Sequence, residues 1–199
     1  APAVQFPLTV GGTCGLLVAS LQTDPAWIGT LGAIAWGLGV SVFLGALLWT
    51  VRDNLPGRAT GTSGTNIDRQ SVDRIANGFV PIALLYLAVG SYETVAVYTG
   101  LPMLLDGYLP RVSHLLAAGT AALLVFALGF RLLPRFLVAS PPTWLVKVVL
   151  PTGALGPVVL ATTLGGGGLG FTLGAIIEAV AVIGFALAYA VLFVRSERR

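Results

Sequence analysis

The chain has 199 residues, of which 56% are apolar and only 10% charged. A soluble domain carries about 25% charged residues, so this composition excludes an ordinary water-soluble fold and calls for lipid as the covering medium. The formal net charge is +3, but the basic residues are dispersed between apolar runs, which excludes a nucleic-acid-binding stripe.

Six apolar segments follow one another, and they predict an all-α polytopic bundle forming one domain over residues 1–199. The first, about 4–21, is the weakest, because Pro7 and the glycine pair at 11–12 interrupt it. No basic run precedes it, which argues against a retained signal peptide. Cys14 lies here alone in the chain, so no intrachain disulfide forms, and it reads as a small buried residue. The second segment, 26–51, is an unbroken span. The third, 77–99, contains Glu93, and the fourth, about 112–133, contains the only histidine, His114, near its start. The fifth, 144–164, carries Pro151 and Pro157, which predicts a broken helix of the kind that lines membrane binding sites. The sixth, 169–194, contains Glu178. A helical span needs about 20 residues, whereas barrel strands would be shorter and alternating.

Six spans sort the loops onto two sides. One side collects Arg52, Arg58, Arg69, Arg74, Arg131, Arg135, Lys147, Arg195, Arg198 and Arg199; the other receives only Arg111. The positive-inside rule then places both termini and the 52–76 loop in the cytoplasm of a cell-membrane protein. That loop has a flexible Gly/Thr/Ser centre, and its second half, with Asp68, Arg69, Asp73 and Arg74, predicts a short helix leading into the third span. On the opposite side, residues 100–111 are too apolar for a free loop and read as an outer interfacial segment, with Tyr98 and Tyr108 as anchors. The glycine run 165–168 reads as a tight outer hairpin whose bare backbone another subunit or a cofactor could approach. Gly12, Gly15, Gly29, Gly32 and Gly37 read as helix-packing positions.

Glu178 lies nine residues into the sixth segment, about 14 Å deep at 1.5 Å per residue. An ionised carboxylate there is costly, so it must be paired or protonated. With no arginine at that depth, its partner is expected to be a Tyr, Thr or Trp from a neighbouring helix, or a base on another protein. Near the outer face, Tyr92, Glu93, Tyr98, Asp106, Arg111 and His114 can form one cluster, with His114 donating to Glu93 and Arg111 neutralising Asp106. Such a cluster can relay protons or hold a ligand; its simpler reading is a polar cap that seals a hairpin. One histidine and two distant glutamates are too few for a zinc site, and no CxxCH motif for covalent haem occurs.

The stretch RVSHLLAAGTAALLVFALGFRLLPRF, together with GTLGAIAWGLGVSVFLGALLWTVR, resembles helices of the haem-copper oxidase catalytic subunit and the related NnrS-like membrane proteins over about 50 residues. The resemblance implies a haem-binding role for His114. That family holds haem through histidines on several spans, and only His114 could match one of them. It therefore also implies partner ligands on another membrane subunit, or on an N-terminal half of a longer chain. The leading expectation is a membrane subunit of a redox or energy-transducing assembly, contacting haem or quinone, with buried carboxylates handling protons. The alternatives are a small transporter or channel-like protein with a midplane site at Glu178, and a structural subunit that packs through its glycines.

Overall fold

A computed structural model describes residues 2–21, 26–54, 60, 69–137 and 139–197. The described residues form helices and no strands. In chain order these are α1 (Pro2–Leu21), α2 (Ala26–Val51) with a 3₁₀ turn at Arg52–Asn54, α3 (Gln70–Thr99), α4 (Leu109–His114), a π-helical segment (Leu115–Ala122), α5 (Leu123–Phe136), α6 (Thr143–Thr163) and α7 (Gly168–Glu197). The unit Leu109–Phe136 acts as one span, so six helices are long and apolar enough to cross a membrane. In hydrocarbon every backbone donor and acceptor must be satisfied within the segment, which is why such runs are helical. The protein is an integral membrane protein by this criterion.

The helix limits correct the sequence expectations at three places. The first span is continuous through Pro7 and the glycine pair; its mean hydropathy of 1.5 is the lowest of the six, and Cys14 on it is exposed instead of buried. The third helix starts at Gln70, so Asp73 and Arg74 belong to the span itself instead of a separate short helix. The remainder of the 52–76 loop, apart from residues 52–54, 60 and 69–76, lies outside the described residues. The fifth span runs through Pro151 and Pro157 as one helix. Proline removes one ladder bond without ending the helix where neighbouring helices hold it.

Helices α3, α5 and α6 make the core. Phe126, Phe130, Leu123, Val146, Val149 and Leu150 are buried there. Helix α7 is tied on through Phe185, whose ring lies 4.6 Å from Phe126, 5.3 Å from Phe130 and 4.3 Å from Tyr189. On the other flank α1 packs on α2 as a glycine hairpin. A Cβ on Gly15 would stand 2.9 Å from the Gly32 backbone, and one on Gly12 would enter the Trp36 backbone. Helix α2 then docks on α3, where Thr30 donates to the Tyr98 carbonyl at 2.9 Å and the Trp36 indole donates to Ser91 at 3.2 Å.

One end of the bundle carries the 100–108 connection and the 164–167 turn and is called here the hairpin end. At the opposite, basic end, Arg135 pairs with the buried Asp73 at 2.9 Å, and Arg131 donates to Asn77 at 3.0 Å. Two residues four apart on α3 thus meet two residues four apart on α5, as antiparallel neighbours should.

Gly12→Leu is expected to separate α1 from α2, because nothing can yield when the obstacle is backbone. Overpacking of this kind costs about 1–3 kcal/mol. The change should lower the thermal transition in detergent and expose Trp36. An unaltered transition would show that α1 does not depend on this contact.

Candidate functional site

At the hairpin end the polar residues divide into two groups. The first is a seal. Glu93 is fully buried (0% exposed). Its two carboxylate oxygens accept the backbone N–H groups of Leu104 and Leu105. The Tyr92 hydroxyl donates to the Pro102 carbonyl at 2.7 Å. The connection after α3 would otherwise bring bare amides to the membrane, and Glu93 satisfies them from below. Gly100 begins this connection in the left-handed region that ends a helix (φ 74°).

Arg111 closes the seal on the far side. It binds Asp106 at 2.7 Å, and its Nε and Nη2 both donate to the Leu164 carbonyl, at 3.0 and 2.9 Å. Leu164 ends α6, where carbonyls lack intrahelical partners. Arg111 therefore ties α4 to the hairpin-end tip of α6. Tyr108 packs beside Gly165, one of the turn glycines with positive φ.

The second group lies deeper. His114 Nε2 and Glu178 Oε1 share a hydrogen bond of 2.7 Å. Their side chains are 21% and 22% exposed, so the pair is neither open nor sealed. The sequence pointed His114 toward Glu93 and left Glu178 to a donor elsewhere. The structure instead joins His114 to Glu178 and gives both Glu93 oxygens to backbone. Arg111 reaches the end of α6 at Leu164, and His114, one turn on along α4, reaches Glu178 of α7. Glu178 sits opposite Gly156, eight residues below Leu164, or about 12 Å along the helix. Gly156 is required there, since a Cβ would run into the Glu178 side chain.

Another helix supplies a polar group near the pair that the sequence reading did not single out. Tyr86 of α3 donates its hydroxyl to the Ala154 carbonyl of α6, and it lies within electrostatic reach of Glu178. Gly119 fits against the Tyr86 ring. Directly after His114 the chain winds as a π-helix for eight residues; the Leu123 N–H reaches the Ala118 carbonyl five residues back. π segments are rare and concentrate at functional sites. Thr120 within it is buried (9% exposed), and its hydroxyl has no partner among the described residues. Polar residues from α3, α4 and α7 thus come together inside the span. Only the small-residue run LAAGTAA hinted at a permissive backbone; its π winding has no sequence signature.

The arrangement can hold a proton. A carboxylate and an imidazole 2.7 Å apart can share one proton, and the pair can take up a second or give up the first. The His114 Nε2 faces Glu178, so an iron ligated there would have to displace the carboxylate.

Replacing Glu93 by Ala should orphan the amides of Leu104 and Leu105, each costing about 1–3 kcal/mol. Hydrogen exchange at those two amides should accelerate sharply, with Glu93→Gln intermediate because it keeps one acceptor oxygen. Unchanged exchange at both sites would rule out the sealing role. No family model matches the chain, and neither a curated protein nor a solved structure matches it.

Proposed function

We propose that this is a proton-handling membrane protein, a component of an energy-transducing or proton-coupled transport system, in which the His114–Glu178 pair takes up and releases the proton. The observation that supports this most directly is the 2.7 Å contact between two titratable side chains on different helices inside the span, each about one-fifth exposed. Ionisable residues at that depth are costly, and they commonly mark ion or proton paths. A purely structural pair would be served as well by neutral hydrogen-bonding residues. Glu93, by contrast, is a seal, and Arg111 with Asp106 is a clamp.

Between the two functional classes, the convergence of α3, α4, α6 and α7 on one level supports a passage within this chain. Quinone or haem contact would instead belong to a partner subunit. The orientation follows from charge: the basic end, with Arg131, Arg135 and Arg195, faces the cytoplasm of the cell membrane, and the hairpin end with Arg111 faces outward.

Two measurements test this reading. In reconstituted protein, infrared difference spectra across a pH step should contain a protonated-carboxyl band. That band should vanish in Glu178→Gln and shift in His114→Gln, and proton flux into vesicles should fall at least tenfold in both. A band and flux that survive Glu178→Gln would overturn the proposal. For orientation, single cysteines in a Cys14→Ser background are labelled in intact cells with a membrane-impermeant maleimide. Gly166→Cys should react at once and Ser196→Cys only after permeabilisation; the reverse pattern would invert the topology.

A further inference from the structure

The π segment Leu115–Ala122 lies between two attachments of α4 and the rest of the bundle. A π winding is the poorer alternative to an α winding for the same residues, so something outside the segment must hold it. On its N-terminal side the polar holds are few: Arg111 on the Leu164 carbonyl and on Asp106, and His114 on Glu178. On its lateral face Gly119 meets Tyr86, and Leu116 fills the space left by Gly90.

Thr120 shows what the winding costs. Thr94, Thr99, Thr152, Thr162 and Thr163 each donate to the carbonyl four residues back. Thr120 does not, although it is buried and Leu116 stands four residues before it. In an α winding the Leu116 carbonyl would come within reach of that hydroxyl, as at the other threonines.

We infer that the π segment is a register switch governed by the proton on the His114–Glu178 pair, a regulation of the site that rests on the proposed function. With one proton on the pair, an imidazolium faces a carboxylate, α4 is held, and the segment is π. A second proton makes Glu178 neutral and removes the ionic attraction. The segment then relaxes to α, and Thr120 gains the Leu116 carbonyl. Rewinding by about one residue turns α4 by roughly 100° and moves it by about 1.5 Å. His114 leaves Glu178, and Arg111 leaves Leu164, so one protonation event would open the clamp at the hairpin end. The other charged or titratable groups nearby are Tyr86 on α3, Arg111 on α4 with its partner Asp106, and the buried Glu93, engaged by backbone. Lys147 of α6 and Tyr189 of α7 are nine and eleven residues away from Gly156 and Glu178.

The test uses spin labels at Leu109 and Leu169, both exposed, introduced as cysteines with Cys14→Ala. Distances are measured in nanodiscs on both sides of the Glu178 infrared titration. The distance should change with acidification in the otherwise unaltered chain. Glu178→Gln should show the acid distance at both pH values. Deleting Ala118 lets the segment wind as α with both flanks in their present register, so that variant should keep the neutral distance throughout. Thr120→Val removes the bond gained in the α state and should reduce the acid-state population about fivefold. A constant distance while the Glu178 band titrates would overturn the switch and leave the proton site standing. Absence of any Glu178 titration would overturn both.

Discussion

Everything in this structure depends on the lack of water inside a bilayer. A polar group in hydrocarbon must find its partner within the protein. The helices answer that demand for their own backbones, and side chains answer it wherever a helix stops. Glu93 meets the amides of Leu104 and Leu105, and Arg111 meets the carbonyl that ends α6. At the opposite end Arg135 and Arg131 meet Asp73 and Asn77. These contacts fix where α3, α4, α5 and α6 sit along the bundle axis.

Within that frame the His114–Glu178 pair is different in kind. It satisfies no backbone group and ends no helix. It joins α4 to α7 across the bundle, at a level where Gly156 clears space for the carboxylate and Tyr86 stands near it. The π winding follows immediately, and the buried Thr120 hydroxyl is left over. Stability alone would favour an α turn here, with Thr120 bonded to Leu116. A π winding directly beside the pair is one ground for the proton-handling role proposed for it.

Glycine explains how the flanking helices attach. Apolar side chains gain little from one another when lipid is the alternative, so close backbone approach has to supply the association. The α1–α2 hairpin uses Gly12, Gly15 and Gly32 in this way, and Gly174 brings α7 against the Leu160 backbone. The aromatic group of Phe126, Phe130, Phe185 and Tyr189 then locks α7 to the core.

The sequence by itself determined the all-helical membrane class, the six spans and the glycine packing faces, because length, apolarity and small-residue content act locally along the chain. It also brought Arg111 to Asp106, five residues apart in one turn region. It read the prolines of α6 as a break and the start of α3 as a separate helix, since propensity cannot register the neighbours that hold a helix together. Which carboxylate meets His114 was decided only by the tertiary structure. Counting from the ends of α4 and α7 places His114 and Glu178 at different depths, yet the packed helices bring the two side chains within 2.7 Å. The π winding was likewise invisible, because the run LLAAGTAA suits an α-helix equally well and carries no signal for the other register.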